Sequence, residues 1–255
     1  KLDYLYRSRT DKPGRDDKVN DLFDPSSADC IGGLAHVAPM VAGHAYWTLD
    51  PVGTMVRKRQ ELHAALQKTR LAYWQTEACL LERVPGVGGG SGRDLTMATA
   101  LFFARLIHAD LVVASATAWH WWLGVSIYDW KDGLVYAFPD AGRLDGVFTD
   151  SKLLWAVGNY SRFVRPGAVR VDVASADLDV NDPDGLMVSA YAGSEEGKVV
   201  AVVVNYGAGE NRVAFSIPSR PIRGVLSYTT SDDPRDDLAP GRVPSASLAA
   251  RIKPR

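Results

Sequence analysis

Two rhythms of apolar and polar positions alternate along the first part of the chain. Val41–Thr48 (VAGHAYWT), Ala72–Leu80 (AYWQTEACL) and the aromatic run Val112–Leu123 read as strands. Between and after them the apolar positions switch to helical spacing. Met55–Lys68 places Met55, Leu62, Ala65 and Leu66 on one face and leaves Arg57, Lys58, Arg59 and Glu61 for water. A helix is expected over Thr96–Asp110 with Asp94 near its start, and another over Ser151–Val164, ended by Pro166-Gly167. Before these elements the pattern predicts a strand at Leu2–Tyr6, a long loop through Ser27 and a short helix within Asp29–Met40. Strand, helix, strand, helix in alternation argues for parallel strands with helices packed outside, and the nearly continuous apolar character of the strands fits burial on both faces.

The rhythm changes after Arg165. Short β-rich runs follow at Ala168–Val173, Leu186–Tyr191, Lys198–Asn205, Arg212–Ile217 and Gly224–Thr229, separated by turn residues such as Asn181-Asp182-Pro183 and Gly207. Short, regularly spaced strands with turn signals predict an antiparallel sandwich. The expected organisation is therefore α/β followed by all-β, with a boundary near Arg165.

Composition narrows the classes. The 255 residues suffice for one large domain or two modest ones, and a net charge of −1 without a basic stripe gives no footprint for nucleic acid or an anionic membrane. No apolar run reaches the ~20 residues needed to span a bilayer. Cys30 and Cys79 form no disulfide framework and read as two separate thiols, although one pairing stays open. The chain starts at Lys1 and reads as a piece of a longer protein. The glycines of Gly86–Gly92 lack the lysine of a phosphate loop and read as a flexible surface loop. His36, His63 and His108 have no ligand-like spacing, and Asp232-Asp233 with Asp236-Asp237 reads as a solvated turn rather than a calcium site. No metal or cofactor is expected.

Strand alternation directs attention to one carboxylate. Within Tyr73–Cys79, the residues Tyr73, Gln75, Glu77 and Cys79 share one face, and Trp74, Thr76 and Ala78 the other, which suits a helix-packed exterior. That puts Glu77 on an interior face near the C-terminal end of its strand, where parallel α/β barrels carry their chemistry. A structural glutamate bonded at a strand end fits the local sequence equally well. His44 and Tyr46 share a parity on the preceding strand and can reach the same interior; alone, His44 reads as a satisfied buried histidine. Trp119 and Trp121 also share a parity, and indole faces in that position suit a sugar ring, while at least one of the three tryptophans at 119, 121 and 122 must serve the core.

Four blocks, GHAYWT, YWQTEAC, ATAWHWWLGVSIYDWKDGLVY and DSKLLWAVGNYSRFVRPG, occur in this order and together resemble glycoside hydrolase family 30, in particular its endo-β-1,6-galactanase-like members. The resemblance runs from about Tyr4 to the end. It implies a (β/α)8 barrel joined to a β-sandwich, with residues 1–164 supplying barrel strands 5–8 and 165–255 the sandwich short of its last strand. It implies retaining hydrolysis of a β-linked glycan, with Glu77 as nucleophile and His44, Tyr46, Trp119 and Trp121 lining the site. It places the acid/base glutamate upstream of these residues, so that the 255 residues alone are expected to be inactive. β-1,6-Galactan leads as substrate; β-1,6-glucan, xylan and glycolipid head groups (a glucosylceramidase) stay open, as does a noncatalytic carbohydrate-binding protein on the same fold. The implied partner is an oligo- or polysaccharide met by a monomer, and a polymeric substrate implies a secreted or periplasmic protein.

Overall fold

The computed structural model describes residues 17–193, 195–218, 221–243 and 249–252. The strand expected at Leu2–Tyr6 lies outside them. The chain divides into two compact units, one of residues up to Arg93 with Leu106–Val147, the other of Asp94–Arg105 with Phe148 onward.

The first unit carries a three-stranded parallel sheet of β1 (Met40–His44), β2 (Ala72–Glu77) and β3 (Ala118–Trp119), in that spatial order. The parallel pairing follows the alternation of strands with helices. Helix α1 (Lys18–Phe23) lies where a loop was expected; it is six residues long and buries only Val19, too little to register as a periodic pattern. Helix α2 (Val52–Thr69) buries Met55, Arg59, Leu62, Ala65 and Leu66 on one stripe, while Arg57 and Lys58 pair with Glu61 on the wet side. It stops at Arg70, which takes the left-handed conformation (φ 57°) and donates its N–H to the Leu66 carbonyl.

Two more sequence expectations give way between Asp29 and Leu123. No helix forms within Asp29–Met40: the segment is a chain of turns, as Gly32, Gly33 and Pro39 favour. The strand expected over Val112–Leu123 is only β3. Ahead of it, Ala109–Val113 extends helix α3 (Met97–His108) as a π-helical turn. An apolar run this short is ambiguous by periodicity, and Asp110 settles it by turning inward to a buried arginine, Arg59. Beyond β3 come the parallel pair β4 (Val125–Ser126) and β5 (Val135–Pro139), and then β6 (Gly146–Asp150).

The glycine-rich loop is anchored rather than loose. Lys131 Nζ donates to the carbonyls of Gly89 and Ser91, both at 2.9 Å, and Ser91 bridges to Trp130. Gly90 is buried beneath the Trp130 indole, and a Cβ there would overlap both that ring and the Leu80 carbonyl. Gly90→Ala is therefore expected to destabilise the protein by about 1–3 kcal/mol, read as a lowered melting temperature. Gly89→Ala, with no atom within 4 Å of its Cβ, should melt with the wild type; equal melting of the two variants would contradict this packing.

The second unit holds α4 (Lys152–Ser161) and small antiparallel sheets: β7 (Val169–Val171), β8 (Leu186–Ala192) and β9 (Val199–Asn205) in one, β10 (Asn211–Ala214) with β13 (Ala249–Ile252), and β11 (Val225–Thr229) with β12 (Ala239–Val243). Six of the seven β8 residues are buried. Met187 and Val204 pack there with Leu101 and Ala104 of α3. Antiparallel pairing agrees with the turn-rich pattern after Arg165.

Candidate active site

β1 and β2 run parallel, so His44 and Glu77 finish at the same edge of the sheet. Their register is not uniform. Gly43 pairs with Gln75, but His44 pairs with Glu77, so β2 carries one extra residue at Thr76. The other flank shows the same slip: the carbonyls of Gln75 and Ala78 accept from the N–H groups of His120 and Trp122, both at 2.9 Å, an advance of three residues against two. This is a β-bulge, and bulges re-aim the side chains that follow them. The Gln75 side chain fixes it by accepting the Glu77 N–H at 2.8 Å.

The bulge corrects the alternation expected for β2. Tyr73 and Gln75 are fully buried, whereas Trp74, on the face expected to be covered, is 40% exposed. Cross-strand partners share a face, so Glu77 goes with His44, out of step with Gln75. Its side chain keeps 30% of its surface exposed.

Glu77 Oε1 accepts the Tyr46 hydroxyl at 2.7 Å and lies 3.4 Å from His44 Nδ1. The rings of His44 and Tyr46 meet edge to face at 5.4 Å. Burial, reinforced by the bond to Glu77, holds the Tyr46 phenol far above its ordinary range, so it stays a neutral donor. The Cys79 sulfur is 3.7 Å from the same hydroxyl, and burial pushes its thiol up to about 11, so it stays protonated at neutral pH. A carboxylate held at one oxygen by a phenol, beside a histidine and partly open to solvent, can act as a nucleophile or as an electrostatic partner for a developing cation.

Trp119 and Trp121 stack on each other, with centroids 6.2 Å apart and planes 16° apart. Trp121 Nε1 donates to the Asp132 carbonyl at 2.6 Å. Trp119 Nε1 donates at 2.9 Å to Asp110, which is fully buried against Arg59. The pair thus shares a face as the spacing predicts, and one end of it is rooted in a buried polar network.

Residues 1–136, more than half of the 255, match the family model described as O-Glycosyl hydrolase family 30. The chain belongs to this family.

Solved structures resemble the family 30 chain along most of its length. A conserved exported protein from Bacteroides fragilis matches with a TM-score of 0.84 and 26% identity, over 98% of this chain and 51% of its own. A GH30 endoxylanase from Clostridium papyrosolvens C71 matches with a TM-score of 0.58 and 23% identity, over 84% of this chain and 46% of its own. The catalytic domain of GH30 xylanase C from Talaromyces cellulolyticus gives 0.56 and 22%, over 73% and 40%. The chain therefore spans about half the length of the structures it matches, or less.

Other candidate chemistry in the family 30 chain resolves into structure. Cys30 and Cys79 are free thiols. Among the described residues, no group of three or more His, Cys, Asp or Glu side chains is placed to hold a metal ion, and no helix is long and apolar enough to cross a membrane. In the Asp232–Asp237 turn, the Lys152 ammonium takes the position a cation would: it donates to the Asp233 carbonyl at 2.8 Å and to Asp237 Oδ1 at 2.7 Å.

Sequence reasoning missed Glu82 and Trp47. Glu82 Oε1 accepts the Leu49 N–H at 3.2 Å, and its carboxyl is held above the usual range by burial. Nothing in the sequence pairs the turn after β1 with a glutamate 33 residues later.

Proposed function

We propose that this chain is the C-terminal part of a retaining glycoside hydrolase, with Glu77 as its nucleophile. The observation that carries the reading is the Tyr46–Glu77–His44 cluster at the C-terminal ends of parallel strands, in a family 30 chain. In this reading residues 1–164 contribute strands 5–8 of a (β/α)8 barrel, and 165–255 a β-sandwich. The parallel β1-β2-β3 sheet and the antiparallel sheets after Arg165 support it, as does the uncovered face around Trp74, which a closed barrel would turn inward.

A retaining mechanism needs two carboxyl groups about 5–5.5 Å apart. Glu77 attacks the anomeric carbon as the glycosidic bond breaks, and a carboxylic acid protonates the leaving oxygen. That acid, now a base, takes a proton from water, which displaces Glu77 with a second inversion. The resemblance to family 30 assigns the acid/base to a glutamate upstream of these residues. Tyr46 orients the nucleophile, and Trp119 and Trp121 are assigned to the sugar. No cofactor takes part, and a monomer suffices.

The substrate assignment is a β-linked glycan, with β-1,6-galactan first on the resemblance of the four sequence blocks. Xylan is the second candidate, since two of the structural matches are named as xylanases. A polymer too large to enter a cell places the enzyme outside the cytoplasm, and one matched protein is described as exported.

The test is hydrolysis of β-1,6-galacto-oligosaccharides, β-1,6-glucan and xylan by the full-length protein, with product configuration read by NMR. Cleavage with retention is expected, and no cleavage by the 255-residue chain alone. Inversion would overturn the mechanism. Binding of these glycans without cleavage of any would make the protein a carbohydrate-binding relative instead.

A further inference from the structure

The turn after β1 is held by more contacts than a surface turn needs. Thr48 Oγ1 donates to the Ala45 carbonyl at 2.5 Å. Arg59 Nη1, from within the core, donates to both the Thr48 carbonyl and its hydroxyl, each at 3.1 Å. The Glu82 carboxylate accepts the Leu49 N–H at 3.2 Å, a charged acceptor that ties down the backbone of the turn. Ala45, Thr48 and Leu49 are each 1% exposed.

Trp47 breaks this pattern. It sits in the left-handed region at φ 61°, which bulky side chains avoid, and its indole is 47% exposed. A large aromatic side chain normally gains by burial. Here a rigid turn holds it outward, immediately after Tyr46, whose hydroxyl touches Glu77. The charged groups beneath the turn, Arg59 and Glu82, are engaged with its backbone and are not offered to a ligand. What remains outward is a flat, apolar surface on a fixed turn, one residue along the chain from the tyrosine that bonds the proposed nucleophile.

We propose that Trp47 is a sugar-binding platform, stacking on the apolar face of a pyranose ring adjacent to the one that Glu77 attacks, and that Glu82 is the positioning residue that presents it. This rests on the glycosidase reading of the Glu77 site and adds a binding residue to it. Aromatic anchors on rigid backbone give affinity at low entropic cost.

The experiment uses the full-length protein carrying Glu77→Gln, so that a bound glycan is not consumed. Its affinities for β-1,6-galactotetraose and xylotetraose are measured by calorimetry, with and without Trp47→Ala or Trp47→Phe. Trp47→Ala should weaken binding of the preferred tetrasaccharide by about ten- to a hundredfold, as loss of a central aromatic anchor does, and Trp47→Phe should retain most of it. Both should melt close to the parent. With Glu77 intact, Trp47→Ala should raise KM for that oligosaccharide and leave kcat nearly unchanged, the signature of lost uniform binding. Unchanged affinity in Trp47→Ala would overturn the platform, and so would a collapse of melting temperature in both variants, which would make Trp47 a packing residue. Hydrolysis by the wild type alongside unchanged Trp47→Ala affinity removes the platform alone. Failure of the parent to bind either glycan overturns the platform for these sugars, while the glycosidase reading falls only if the wild type cleaves none of the glycans tested.

Discussion

Glu77→Gln in the full-length protein is expected to lower kcat on its glycan by about 10³-fold or more, beyond what one lost transition-state hydrogen bond costs. The amide has nearly the shape of the carboxylate. Its oxygen can still accept the Tyr46 hydroxyl, now at 2.7 Å from Glu77 Oε1, so packing at the end of β2 should survive and KM should move little. What disappears is the charge that forms the bond to the anomeric carbon. A fluorosugar that accumulates the glycosyl-enzyme should add its mass to a peptide containing Glu77 in the wild type and leave Glu77→Gln unlabelled. The bulge at Thr76 makes this a sharp test, because it separates Glu77 from the buried pair Tyr73 and Gln75. A glutamate held there only as scaffold would tolerate the isosteric amide, and wild-type turnover in Glu77→Gln would assign it that role.

The elements legible in the sequence are those whose burial repeats along the chain. The stripe Met55, Leu62, Ala65 and Leu66 marked α2, and the apolar runs of β8 and β9 stood out between turn residues. Parallel and antiparallel pairing followed from how strands and helices alternate. What stayed hidden depends on single contacts between distant residues. The bulge in β2 rests on register slips against both neighbours and on a Gln75 side-chain bond, and an alternation pattern carries no mark of either. The π-helical turn depends on Asp110 finding Arg59, 51 positions away. β12 was missed because Pro240 and Gly241 within it are turn formers by composition. At the candidate site, parity on two strands brought His44 and Tyr46 to notice beside Glu77. It said nothing of Glu82, and it carried Trp47 within a strand read to Thr48, whereas β1 ends at His44 and the chain turns from Ala45 onward.

The largest stability effect is expected at the buried pair Arg59–Asp110. Both side chains have no exposed surface, and Arg59 Nε meets Asp110 Oδ1 at 2.7 Å. Arg59 also ties down the Thr48 backbone, and Asp110 accepts the Trp119 indole, so this one pair links α2, the turn bearing Trp47 and the end of β3 at Trp119. Arg59→Met strands a carboxylate in the core and is expected to cost about 3–5 kcal/mol, a fall of about 6–20 °C in melting temperature for a chain of this size. Burial already holds the Asp110 carboxyl above its ordinary range, against the pull of Arg59, and without the guanidinium it must rise further. For an acid whose folded pKa exceeds its unfolded value, stability falls as pH rises from the unfolded pKa through the folded one. Arg59→Met should therefore lose less against the wild type near the unfolded aspartate pKa than at neutral pH, where the stranded group must either stay charged or hold a proton against the solvent. Adding Asp110→Leu should recover part of the loss at neutral pH, because an apolar pair is easier to bury than one unmatched charge, although the Trp119 N–H then loses its acceptor and the Thr48 carbonyl and hydroxyl still lack their Arg59 donor. If instead the double variant melts below Arg59→Met at neutral pH, the stranded charge is not the source of the cost, and the bonds from Arg59 to Thr48 must carry it.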